Sequence, residues 1–142
     1  MNITLYYVNH LKDFCIKFIT KMYEKKHKIT MLCEDEAFLH EVDDALWTSK
    51  QISFIPHVIY EHDVTEVPVF VENTPIVLTK PPFKIINHSD MVIILNHKSD
   101  PHCEHVVKAF DNRALYEEEK KRLNTATCWI YQNDTWEKDT SS

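Results

Sequence analysis

The sequence predicts a three-layer α/β domain, and three observations carry that prediction. Short runs rich in Ile, Val and Leu alternate with longer stretches whose apolar residues recur at spacings of three and four. The strongest apolar run, Met91 to Leu95, carries no polar residue, as expected of a strand buried on both faces of a parallel sheet. With 142 residues and 44% hydrophobic content, the chain can bury one core without disulfides or metal.

The elements follow in order. Ile3 to Val8 reads as a strand; Leu11, Phe14, Cys15, Phe18, Ile19 and Met22 then mark an amphipathic helix ending in basic Lys25 to Lys28. Ile29 to Cys33 is a second short strand. Glu34, Asp35 and Glu36 come next, where the free N–H groups of a helix start favour carboxylates. From Asp35 to Trp47 the residues Phe38, Leu39, Val42, Ala45 and Leu46 fall on one helical face. A polar Thr48 to Gln51 connection leads to Ile52, Phe54 and Ile55, and Pro56 forbids further helix. Apolar runs follow at Val67 to Val71 and Ile76 to Leu78, then the Met91 strand and another near His105 to Phe110. A charged helix from Arg113 to Leu123 and a hairpin turning at Asn133-Asp134 complete a largely parallel central sheet with flanking helices. The topology expected is Rossmann-like. Residues 1–138 form one domain, and Asp139 to Ser142 a frayed polar tail.

Composition excludes several functions. The chain has no glycine, where ordinary usage of about 7% would give roughly ten. A Walker loop, a G-x-G-x-x-G dinucleotide fingerprint and a G-x-S-x-G nucleophile elbow all need glycine for close backbone approach or positive φ, so the fold carries no dinucleotide site. A net charge of −6 argues against a surface that coats DNA, because phosphate binding needs many Lys and Arg contacts. Any contact with nucleic acid is expected to be indirect. Cys15, Cys33, Cys103 and Cys128 are scattered without a C-x-x-C, and no signal peptide or membrane-length apolar run is present. These features suit a cytoplasmic protein.

Several constellations are candidates for chemistry or binding. Trp47 and Phe54 can lie near each other across the polar connection, either as interface anchors or as ordinary core rings. His97, His102, Cys103 and His105 offer imidazole and thiolate ligands of the kind Zn²⁺ takes, although their spacing matches no standard site and a polar loop accounts for them as well. A small metal-dependent or thiol enzyme is therefore the alternative function. A Cys33 and His57 nucleophile is conceivable, but three carboxylates beside Cys33 disfavour its thiolate. Glu34, Asp35 and Glu36 do not converge on one cation from consecutive helix positions; capping explains them better. No cofactor is implied.

The segments C-E-D-E at 33–36, D-A-L-W at 44–47 and F-I-P-H at 54–57 resemble the chi subunit family of the bacterial DNA polymerase III holoenzyme. Pro68 to Val71 or Pro75 to Thr79 is similar to the family's P-V-L-L-T strand, Asn87 to Leu95 to its N-G-A-D-L-L-I strand, and Val106 to Arg113 to its V-V-D-L-F-D-G-R. The end, Thr127 to Gln132 through Trp136 to Lys138, resembles the tail of some members; Val58 to Val67 finds no counterpart. Asn87-His88 and Asn112 stand where members usually carry glycine, and asparagine is the residue best able to replace it in a left-handed turn.

The resemblance implies a noncatalytic adaptor, a monomer alone or a heterodimer with its partner. It implies that a psi-like subunit, which tethers chi to the clamp loader, or a replication-linked helicase binds Trp47, Phe54, Pro56 and His57. It also implies that the acidic C-terminal tail of single-stranded DNA-binding protein is captured on the helix after F-D-x-R, through Arg113, Tyr116, Lys120 and Lys121. That helix is two or three turns shorter than in relatives, and Glu117, Glu118 and Glu119 intrude. A solvated helix with i,i+4 charge pairs is the other reading of the same residues.

Overall fold

The computed structural model describes residues 2–48, 57–60, 74–80, 89–97, 103–123, 125–132 and 135–139. Eight strands form one sheet among these residues: β1 (Asn2–Tyr7), β2 (Ile29–Leu32), β3 (His57–Tyr60), β4 (Ile76–Thr79), β5 (Met91–Leu95), β6 (His105–Phe110), β7 (Thr127–Gln132) and β8 (Thr135–Lys138). Their order is β3-β4-β2-β5-β6-β1-β7-β8. Every neighbouring pair is parallel except β7 with β8, so the largely parallel sheet and the C-terminal hairpin expected from the sequence are both present. The strand at β3 was not expected; His57-Val-Ile-Tyr60 directly follows a proline and is too short to announce itself by periodicity. The run at Val67 to Val71 lies outside the described residues.

Among the described residues three helices pack on the sheet: α1 (Leu11–Glu24), α2 (Glu36–Thr48) and α3 (Arg113–Arg122). α1 and α2 touch each other and share one face, where Phe14, Ile19, Leu39 and Val42 bury against Met31, Leu78 and Ile93. α3 lies on the other face, where Tyr116 packs with Leu5, Phe110, Cys128 and Ile130. This is the three-layer arrangement. Leu5 and Tyr6, adjacent in β1, point into different clusters, as the two-residue period of a strand requires.

The helix ends show how a chain without glycine turns. Asp35 caps α2 by accepting the Phe38 N–H at 3.2 Å, as the carboxylate-rich start predicted. α1 ends in a Schellman arrangement: His27 N–H donates to Met22 O at 3.1 Å and Lys26 N–H to Tyr23 O at 2.8 Å. Lys26 occupies the left-handed position at φ 67°, where glycine is usual. The second left-handed residue is Asn96, at φ 50°, whose side chain bonds both the Asp111 N–H and its carboxylate. Asn112, expected to stand in for glycine in a left-handed turn, instead has φ −101° and caps α3 by accepting the Leu115 N–H. Asparagine serves that role with an ordinary extended backbone. Asn87 and His88 lie outside the described residues.

Two charges are buried where the sheet meets α3. Lys108 of β6 and Glu119 of α3 are both fully enclosed, and Lys108 Nζ donates to Glu119 Oε2 at 2.6 Å. Arg122 closes over the same carboxylate, its Nη2 donating at 2.9 Å. Burial pushes the Glu119 carboxyl upward, but hydrogen bonds and charge from Arg122 and Lys108 outweigh it and hold the group below its ordinary value of 4.5. Just beyond β8, the Asp139 N–H donates to Cys128 O at 2.8 Å.

Glu119→Ala takes the buried carboxylate from Lys108, and Lys108→Ala takes the buried ammonium from Glu119. Glu119→Ala or Lys108→Ala should each cost about 3–5 kcal/mol in urea unfolding, while the Lys108→Met, Glu119→Leu double variant should be nearly neutral. Because Glu119 is depressed, its contribution is fully present above its unfolded value and lost as pH falls through the lower folded value; Glu119→Gln should flatten the acid limb of the stability curve.

Candidate functional site

Two surfaces carry the residues that the sequence singles out. The first is at the end of α2, beside the β3 edge of the sheet. Trp47 is 53% exposed, which excludes the core reading of that ring. It is nevertheless oriented. Its indole N–H donates to Asp43 Oδ1 at 3.2 Å, one helical turn back, and its ring lies 4.6 Å from the His57 ring at a 48° tilt. His57 itself is buried, and its Nε2 sits 3.0 Å from the same Asp43 oxygen, at an angle too oblique for a regular hydrogen bond. The Asp43 carboxylate thus lies against both rings, while Trp47 stays half-exposed. Phe54 and Pro56 lie outside the described residues. Asp43 was not singled out from the sequence, although its i,i+4 spacing to Trp47 was there to be read.

The second surface is α3. Arg113, Tyr116 and Lys120 share one helical face, while Lys121 projects from another side and is exposed. The Arg113 guanidinium lies 5.0 Å from the centroid of Tyr7 and 5.6 Å from that of Tyr116, and it is paired with Glu117 at 3.0 Å. Tyr116 is fully buried. Its hydroxyl donates to Asp139 Oδ2 at 2.6 Å, and Lys120 Nζ reaches the same oxygen at 3.0 Å. The polar groups expected to receive a partner's carboxylate therefore hold one from this chain. Burial, followed by the hydrogen bond to the Asp139 carboxylate, raises the Tyr116 phenol well above its ordinary range. Of the intruding glutamates, Glu119 belongs to the buried ion pair and Glu117 to Arg113, so neither is merely solvated.

Among the described residues, the His and Cys candidates are placed apart. His97 follows the C-terminal end of β5, while His105 opens the parallel β6 and pairs with Met91 at the other end of β5. A full strand, on the order of 13 Å, separates those ends. His97 pairs with Glu34 at 2.9 Å and Cys103 Sγ donates to Ser89 O, so the two point to different neighbours. His102 lies outside the described residues; among them no group of three His, Cys, Asp or Glu side chains could hold a metal. Cys33 and His57 are likewise at opposite ends of the sheet, since His57 is in register with Ile76 and Ile29, the start of the strand that Cys33 follows. Burial chiefly raises the Cys33 thiol, and nearby carboxylates add to this.

These elements match a known family. The family model described as DNA polymerase III chi subunit, HolC, matches residues 1–126. The chain belongs to the DNA polymerase III chi subunit family. Its role is therefore that of an accessory protein of DNA replication. The match takes in α2 with Trp47, β3 with His57 and all of α3; the hairpin β7–β8 lies beyond it. No curated protein matches the chain. No helix among the described residues is long and apolar enough to cross a membrane.

Burial pushes up all four thiols of this chi-family chain, Cys15, Cys33, Cys103 and Cys128. In the native protein at neutral pH, a disulfide reagent should therefore modify them far more slowly than a free thiol, Cys103 first. A fast-reacting cysteine would contradict the geometry.

Proposed function

We propose that this protein is a noncatalytic adaptor of the replisome that joins a clamp-loader partner on one surface to single-stranded DNA-binding protein on another. The observation that carries the reading is the half-exposed Trp47, pinned by Asp43 and backed by His57. A large aromatic left open to solvent yet held in one orientation is pre-organised to anchor a partner, because little side-chain entropy is lost when it is covered. The occupant proposed is a psi-like subunit or a replication-linked helicase, with Phe54 and Pro56 completing the surface. A cytoplasmic location beside the replisome follows from that role.

The second contact is proposed on α3. Arg113, ordered against Tyr7 and Tyr116, and the exposed Lys121 offer charge to an acidic tail. Lys120 and the Tyr116 hydroxyl come into play only when the Asp139 carboxylate yields its place. The exposed pairs are screened by salt, so capture should be weak and salt-sensitive.

Two outcomes test this. Trp47→Ala should weaken binding of the clamp-loader partner by about 2 kcal/mol or more, roughly thirtyfold, in calorimetric titration. Its unfolding midpoint should barely move, because the ring is largely exposed. A peptide copying the tail of the organism's own single-stranded DNA-binding protein should bind the wild type at low salt. Arg113→Ala should weaken that binding, and Asp139→Asn should strengthen it, because the competing charge leaves Lys120. Equal affinity for all three proteins would remove α3 from the account.

A further inference from the structure

The hairpin beyond the family match builds a groove that neither proposed contact uses. β7 and β8 extend the sheet past β1, and cross-strand register aligns their side chains on the α1 side in two rows. Tyr6, Trp129 and Lys138 stand in one, and Tyr131 and Trp136 in the next. Together with Phe14 and Phe18 of α1 these rings bound a cavity of about 600 Å³. Trp136 touches Tyr6, Tyr131 and Phe14 at centroid distances of 5.3, 4.9 and 5.9 Å, yet 43% of it remains exposed.

The rim is basic. Lys17 and Lys21 line the groove one helical turn apart, about 6 Å along the axis. Among the described residues neither makes an ion pair, and Asp13 is the only carboxylate in the lining. Although the whole chain carries a net charge of −6, the stretch from Leu11 to Lys28 holds six lysines against two carboxylates. The overall charge thus hides a local positive edge beside an aromatic floor.

We propose that this groove binds a short stretch of single-stranded nucleic acid, with bases stacked on Trp136 and Tyr131 and consecutive phosphates on Lys17 and Lys21. Rings side by side offer stacking area to successive bases of any sequence, and ammonium groups one helical turn apart suit the phosphate spacing of an extended strand. An acidic peptide is the less suited occupant, because arginine, which pairs carboxylates bidentately, does not line the groove. The acidic remainder of the surface confines the contact to this edge and keeps it weak. The inference goes beyond the adaptor role, in which nucleic acid is reached only through bound protein, and it does not depend on Trp47 or α3.

The test is a fluorescence titration of the full chain carrying Trp47→Phe, so that only Trp129 and Trp136 report. A deoxythymidine oligomer at low salt should quench the emission to saturation, with a log–log salt slope of roughly −1.4 for two phosphates. Lys17→Glu with Lys21→Glu, both surface changes that leave the core intact, should weaken binding at least about tenfold and remove most of the slope. Trp136→Leu should weaken it by about fivefold or more. Absence of quenching, quenching unchanged by the double charge reversal, or a stronger response to the acidic tail peptide than to the oligomer would each overturn the proposal. Partner binding through Trp47 is read in the separate calorimetric titration, so failure here leaves the adaptor reading standing.

Discussion

The ion pair between Lys108 and Glu119 sets the geometry on which the α3 side of this protein depends. Lys108 sits in β6 between Leu5 of β1 and Ile94 of β5, both apolar and buried. An ammonium group there is tolerable only if a carboxylate reaches it, and Glu119 does so only when α3 lies in one rotation and one position along its axis. With Glu119 turned inward, Tyr116 one turn earlier packs on Phe110 and points its hydroxyl at Asp139, and Lys120 converges on the same oxygen. The rotation of the helix and the turn of Tyr116 and Lys120 toward Asp139 go together with that buried contact. The same contact explains three consecutive glutamates in this helix. Glu119 turns to the interior and Glu117 pairs with Arg113.

Most of the fold was legible because its signals are local and redundant. The uninterrupted Met91–Leu95 run, the three-and-four spacing of α1 and α2 and the turn residues of the last hairpin each point to one element type. What was not legible rests on contacts distant in sequence. Nothing around Lys108 distinguishes a strand lysine pointing to water from one buried against a helix eleven residues on. Asp139 reads as tail until its bonds to Tyr116 and Lys120 are seen. Among the described residues, left-handed Lys26 was hidden for another reason: without glycine to mark the position, the backbone accepts a cost of about 1–2 kcal/mol at a residue that carries no signature of it. Of the candidate sites, Trp47 was found by pattern and its exposure by structure. His97 and His105, close in the sequence, lie at opposite ends of β5, a separation that only the strand register reveals.

The two proposed contacts stand far apart. Trp47 and His57 belong to the β3 edge, whereas α3 packs on β1 and β6 from the other face. Four to five strand spacings, on the order of 20 Å, lie between them. That separation is what an adaptor needs: two partners can be held at once without competing, and neither has to move the sheet.

The most direct test of this account is nuclear magnetic resonance mapping of the full-length protein with each partner in turn and then with both. The account predicts that the clamp-loader partner shifts resonances around Asp43, Trp47 and His57, that the tail peptide shifts those of Arg113 to Lys121 and Asp139, and that the two sets add without interference. Overlapping sets, or loss of one partner on addition of the other, would contradict it, since a single shared surface cannot join two proteins.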